Sequence, residues 1–201
     1  CLGRPFLLGN APRAMALPKS AATVTYRQHG GNFTQERIRY TTPRPSIQKE
    51  GAVNMHEIYL AGGCFWGTEA YLQRLPGVVD TEVGYANSLI EDPSYEEVCS
   101  GRTEAAEAVR VRYDADIIPL ALLLKAYFRT IDPLSRNRQG NDRGTQYRTG
   151  IYWTDPADEP VVRTSLSALA LQLGQTPRIE AASLGNFSPA EAYHQDYLAR
   201  N

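Results

Sequence analysis

Along residues 55 to 201 the apolar positions repeat first with the period of a strand, then with that of a helix, and the two patterns alternate. The spacing predicts a strand over 57–61, a helix over 66–75 and, after the Pro76-Gly77 turn, a strand over 78–85. Residues 86–103 read as loop, with a helical turn at 94–99. Ala108 to Tyr113 alternates and reads as a strand. Pro119 opens a helix to about Arg129, since proline is tolerated in a first helical turn; Leu120, Leu123, Leu124, Tyr127 and Phe128 mark its inner side. Gly150 to Trp153 reads as a strand. A helix then runs from Asp155 or Pro156 to Leu173, closed by Gly174. A last strand is expected over 178–182 and a last helix over 188–198, capped by Ser188-Pro189. The order β-α-β-β-α-β is that of a ferredoxin-like split unit, so the expected class is α/β (α+β), a sandwich with added helices.

Residues 1–54 do not share this pattern. They hold five prolines, at 5, 12, 18, 43 and 45, and no sustained periodicity, and read as a poorly structured extension before a catalytic domain at 55–201. Thr23–Tyr26 and Ile38–Tyr40 alternate and could pair as short strands. The extension carries eight Lys/Arg and two Asp/Glu, a net +6, with no acid in its first 35 residues. A tail or non-native extension is ranked above a targeting remnant, and Met55 is a plausible start. Residues 55–201 are −7, which argues against nucleic acid as a partner of that part. No apolar run approaches the roughly 18 residues of a membrane helix. The expectation is a cytoplasmic monomer.

The chemistry concentrates in Gly62-Gly63-Cys64-Phe65-Trp66-Gly67, which lies where the first strand turns into the first helix. Helix N-termini offer unpaired N–H groups and a partial positive charge, which favour thiolate over thiol. Glycines let a backbone approach closely. Phe65 and Trp66 suit a small apolar group beside the sulfur. Taken alone, such a cysteine is more often a buried structural thiol. Three further segments change that balance: Val83-Gly84-Tyr85-Ala86, Pro93 to Gly101 around Tyr95-Glu96-Glu97-Val98-Cys99, and Gln139-Gly140-Asn141-Asp142-Arg143-Gly144-Thr145-Gln146-Tyr147-Arg148. The last lies in an irregular stretch, 132–148, of the kind that is often functional.

In this order, over residues 56 to 201, the four segments resemble methionine sulfoxide reductase A. The resemblance implies Cys64 as nucleophile and, as acid, the second Glu of the Tyr-x-Glu-Val segment, Glu97. It implies polar sulfoxide contacts from Tyr85, Asp142 and Tyr147, and a methyl pocket from Phe65 and Trp66. The reaction implied is reduction of the S epimer of methionine sulfoxide, free or in proteins, through a Cys64 sulfenic acid, with no metal or organic cofactor and with thioredoxin or a small thiol as reductant. The residue types suit it: a soft nucleophile for the sulfur, a neutral carboxylic acid for the oxygen, and tyrosine hydroxyls for developing charge. Taken without the family, Glu97 sits in an acidic cluster that reads as a solvated face, Tyr85 and Tyr147 as half-buried tyrosines, and Asp142 as a turn residue.

There are two departures. The family's Thr-Gly-His-Ala-Glu is Thr103-Glu104-Ala105-Ala106-Glu107 here, for which altered local packing is expected. Many members also carry a resolving cysteine in a Gly-Tyr-Cys tail, and this sequence stops at Asn201 before any such residue. Cys99 and Cys1 are the other cysteines, so the resolving residue is unknown. Small thiols are expected to recycle Cys64, and thioredoxin only if one of those two resolves it. The three cysteines are no disulfide framework, and no histidine stands near one in a zinc spacing. The rival readings are a peptide-binding module with Cys64 as redox sensor and a cysteine hydrolase. The hydrolase lacks a histidine between 57 and 193, leaving His194 alone as base.

Overall fold

The computed structural model describes residues 53–201. The extension, including the strands considered at 23–26 and 38–40, lies outside them. The strands are β1 (Met55–Gly62), β2 (Val78–Ala86), β3 (Ala106–Asp114), β4 (Arg138–Gln139), β5 (Asp142–Arg143), β6 (Thr149–Trp153), β7 (Glu180–Ser183) and β8 (Phe187–Pro189). The helices are α1 (Phe65–Leu72), α2 (Tyr95–Cys99), α3 (Leu120–Tyr127), α4 (Glu159–Leu173) and α5 (Tyr197–Arg200), with 3-10 turns at Thr145–Tyr147 and Pro156–Asp158.

Six strands form one sheet in the order β7-β6-β1-β3-β2-β8. β3 runs antiparallel to both β1 and β2, and β1 antiparallel to β6. Thus β1 and β2 are parallel with β3 between them, and β3 and β6 are parallel with β1 between them. These are the two interleaved split β-α-β units of the expected fold, crossed by α1 and α3. α4 adds β7 parallel to β6 at one edge, and β8 pairs antiparallel with β2 at the other.

Side-chain parity sorts the faces. Ile58 and Leu60, Val83 and Tyr85, Val109, Val111 and Tyr113, Ile151 and Trp153 join Phe65, Leu72, Leu123, Leu124, Tyr127 and Val162 of the helices in one core. Tyr59, Ala61, Ala86, Ala106, Ala108 and Tyr152 form a smaller cluster on the other face, closed by Phe187 and Leu184. On that face Arg110 also pairs with Glu82 at 3.1 Å. α3 buries Leu120, Leu123, Leu124 and Tyr127 as its spacing requires, and Gly174 closes α4 at φ +67.

The last expected helix is not there. Ser188 and Pro189 lie on edge strand β8, where a residue without an N–H is tolerated. The following residues make one turn bond, His194 N–H to Glu191 O at 2.9 Å, and otherwise bond mainly sideways. Ala190 N–H donates to Val83 O at 2.9 Å. The Gln195 amide accepts from Val83 N–H and donates to Val83 O, each at 2.9 Å. Asp196 N–H donates to Glu69 at 3.0 Å. Residues 190–196 are therefore a strap across β2 and α1, and helix resumes only at α5, after Asp196 in the left-handed region at φ +53.

Candidate active site

Cys64 is the residue before α1. Gly63 turns the chain with φ +78, and a Cβ there would stand 2.6 Å from Gln139 Cβ, so glycine is needed both for the turn and for the approach of the β4–β5 hairpin. The Trp66 and Gly67 N–H groups donate to the sulfur and favour thiolate, as a helix start should. Two effects outweigh them. Burial, then the charge of Glu107, push the thiol up to about 11. The resting side chain is a thiol, not the thiolate expected from position alone.

Glu107 is the carboxyl that faces it. Only 2% of this residue is exposed, and its Oε2 accepts the Phe65 N–H at 3.1 Å, next along the chain from the thiol. Burial raises its pKa to about 8; the Phe65 bond opposes the rise and Asp142 adds to it. At neutral pH it is a protonated, buried carboxylic acid beside a thiol.

Glu97, the acid implied by resemblance, stands elsewhere. It is exposed at the start of α2, where Ser94 N–H and Oγ–H both donate to its Oε2, at 2.9 and 3.0 Å. With the Ser94 hydroxyl accepting from Glu97 N–H, this is a capping box. Those bonds lower its pKa. The neutral carboxylic acid that the reaction asks for is therefore not found at Glu97, and the acid role implied for it is corrected.

The remaining expected residues fall around Cys64 and Glu107. Tyr85 is Glu107's cross-strand partner, 1% exposed, its ring centroid 6.0 Å from that of Phe65. The charges of Glu107, Asp142 and Cys64 all act on the Tyr147 hydroxyl, whose pKa burial first of all holds above its ordinary value. Asp142 sits opposite Gln139 in the hairpin and acts on both Cys64 and Glu107. Phe65 is buried and Trp66 half-buried, the Trp66 ring stacked on Tyr197 at 3.8 Å and 11°.

Besides Glu107, sequence reasoning missed two residues of the strap. His194, weighed only as a hydrolase base, is 2% exposed among Phe65, Trp66, Tyr95 and Tyr193. Its Nδ1 accepts from Trp66 Nε1–H at 3.2 Å, and an indole N–H only donates, so the neutral ring carries its hydrogen on Nε2. Burial lowers its pKa, which keeps it neutral. Glu191 accepts from the Tyr85 hydroxyl at 2.8 Å and from Tyr95 N–H at 3.0 Å. His194 stands in the Tyr193–Leu198 segment, after which the resembling family places its tail, but nothing in the sequence assigned it or Glu191 a role in the pocket. Glu107 had a signal: it falls on the same parity as Val109, Val111 and Tyr113, a lone carboxylate on an apolar strand face.

Glu104 lies in the left-handed region at φ +51, which explains why the resembling family has glycine there. Arg148 holds that turn by donating to Glu104 O at 2.7 Å and ties it to β7 through Glu180 at 2.8 Å. Cys64 and Cys99 are free thiols, and Cys99 is exposed at the end of α2. Among the described residues no group of three or more His, Cys, Asp or Glu could hold a metal ion, and no helix is long and apolar enough to cross a membrane.

A family model described as peptide methionine sulfoxide reductase matches residues 56–201. The chain is similar to peptide methionine sulfoxide reductase MsrA of Mycoplasma genitalium, 53% identical over 147 residues, covering 73% of this chain and 94% of that protein. MsrA of Clostridium botulinum is 52% identical over 147 residues, with the same coverage. Among solved structures, reduced Mxr1 from Saccharomyces cerevisiae superposes with a TM-score of 0.70 at 38% identity, over 74% of this chain and 86% of that one. Methionine sulfoxide reductase A of Corynebacterium diphtheriae does so at 0.68 and 35%, over 75% and 77%. Mxr1 has also been solved in complex with Trx2, and that structure superposes at 0.52 with 25% identity, over 76% and 91%.

Proposed function

The chain belongs to the peptide methionine sulfoxide reductase family, and we propose that it reduces the S epimer of methionine sulfoxide through Cys64 as nucleophile and Glu107 as acid. The enzyme is a thiol-dependent oxidoreductase. The observation that carries the residue assignment is the buried, proton-holding Glu107 bonded to the N–H beside the thiol.

In the proposed step Cys64 Sγ attacks the sulfoxide sulfur while the Glu107 proton moves to the sulfoxide oxygen. The thiol proton passes to the Glu107 carboxylate, so the acid is restored. The S–O bond breaks and the hydroxyl is transferred to Sγ. Two electrons have gone from Sγ to the substrate sulfur, leaving the thioether and a Cys64 sulfenic acid. Tyr85 and Tyr147 donate to the oxygen as charge develops on it. Phe65 and Trp66 hold the methyl group, and Asp142 stands on the hairpin side. One thiol then condenses with the sulfenic acid, releasing water, and a second thiol frees Cys64 as a disulfide leaves. Thioredoxin or a small thiol supplies these equivalents. The need for reduced thiols supports the cytoplasm.

The test is dithiothreitol-driven reduction of each epimer of N-acetylmethionine sulfoxide amide. Only the S epimer should disappear, and Cys64→Ser should abolish the reaction in a folded protein. Equal loss of both epimers, or turnover by Cys64→Ser, refutes the proposal.

A further inference from the structure

Glu191 gathers donors from two other elements. The Tyr85 hydroxyl of β2 donates to Oε2 at 2.8 Å, and the Tyr95 N–H at the start of α2 donates to Oε1 at 3.0 Å. His194 Nε2 stands 3.9 Å from Oε2. Burial opposes ionisation, but these donors and the residue's own N–H outweigh it and hold the carboxyl below its ordinary value. It is therefore a carboxylate, which only accepts.

The Tyr85 ring is buried against Phe65, so its oxygen has little freedom. What remains variable is the direction of the hydroxyl hydrogen. With that hydrogen on Glu191, Tyr85 offers the pocket lone pairs alone. A sulfoxide oxygen is itself an acceptor, so it gains this donor only by taking the hydrogen from Glu191.

We propose that Glu191 is a positioning residue that keeps the Tyr85 hydrogen out of the pocket until a sulfoxide oxygen competes for it. This rests on the reading of Tyr85 as a sulfoxide donor. The thioether product has no such oxygen, so the hydrogen returns to Glu191. The Tyr85 hydroxyl therefore keeps an acceptor in the free and product-bound enzyme, where an unpaired buried donor would be costly. Glu191 thus weakens sulfoxide binding and leaves product binding unchanged.

The experiment measures dissociation constants by calorimetry in a Cys64→Ser background, where no turnover occurs. The probes are N-acetylmethionine sulfoxide amide and its thioether. In Glu191→Gln the amide oxygen must serve the fixed Tyr95 N–H. The amide NH2 then donates to Tyr85, whose hydrogen is turned to the pocket. Sulfoxide binding should tighten about three- to tenfold, the range of one hydrogen bond. Thioether binding should not change, and the tightening should vanish in Tyr85→Phe. Glu191→Ala, which also removes the competing acceptor, should tighten in the same direction and stands in if the Gln variant does not fold. Unchanged or weaker sulfoxide binding in both variants, or tightening that survives Tyr85→Phe, overturns the proposal. If Tyr85→Phe alone leaves sulfoxide binding intact, the donor role of Tyr85 fails and the proposal with it. If it weakens binding while the Glu191 variants do not tighten it, the proposal fails alone.

Discussion

Glu107→Gln keeps the size of the side chain and an acceptor for the Phe65 N–H, and removes the proton. The ordinary value of 4.5 has moved to about 8, so at pH 7 roughly nine-tenths of the molecules hold that proton. Positioned general acids contribute about 10²–10⁴-fold. Methionine formation in a single turnover should fall by a factor in that range. The wild-type rate should also decline as pH rises through about 8, and the variant should lose that limb. The variant's stability should move opposite to its rate. The unfolded chain releases this proton near 4.5 and the folded chain near 8, so between those values the folded state binds more protons and stability is lost as pH rises. At 1.36 kcal/mol per pH unit the loss reaches roughly 3 kcal/mol by pH 7. Gln never ionises. The variant should therefore be more stable than wild type at neutral and alkaline pH, and the gap should close as the pH falls to about 4.5. Rapid-quench assay of methionine and urea unfolding across pH read the two halves. A variant that reduces sulfoxide at the wild-type rate, or whose stability follows wild type between those two values, refutes the assignment.

Glu97→Gln should reduce sulfoxide at the wild-type rate, because the side chain caps α2 in solvent; a loss comparable to that of Glu107→Gln would return the acid role to Glu97. His194→Phe removes the acceptor for the Trp66 indole N–H and should raise KM for the sulfoxide about fivefold with a smaller change in kcat; steady-state kinetics with dithiothreitol check it. Glu104→Gly relieves a side chain in the left-handed region at φ +51 and should stabilise by up to about 1 kcal/mol, read calorimetrically as a rise in Tm of ~2–4 °C.

Strand and helix periods carried most of the architecture. The four central strands and the helices α1, α3 and α4 are legible in the spacing of their positions, although the strands bury residues on both faces. The last helix misled for a physical reason: Ser188-Pro189 is a good helix start in isolation, and only the unpaired edge of β2 turns it into β8. The acid misled differently. Glu97 lies in a motif, but Ser94 takes its carboxylate. Glu107 ends the Thr103–Glu107 segment, notable only for its departures from the family, and strand parity carries it inward, beside a residue whose N–H is 42 positions away in sequence. Glu191 and His194 were illegible because their partners are 106 and 128 positions distant. Such pairings are set by where the strap docks, which no local pattern encodes.

The strap also fixes when a newly made chain becomes an enzyme. The sheet is complete once Pro189 has left the ribosome, with Cys64 and Glu107 already facing each other. The wall that holds a substrate is not. Trp66 waits for His194, and Tyr85 and Tyr95 wait for Glu191, so the pocket closes only when the segment through Asp196 has emerged and laid itself across β2 and α1. A chain still short of Ala190 therefore carries the reactive pair without a vessel for its reaction. Competence arrives only after the sheet is complete, with the docking of the segment that follows β8.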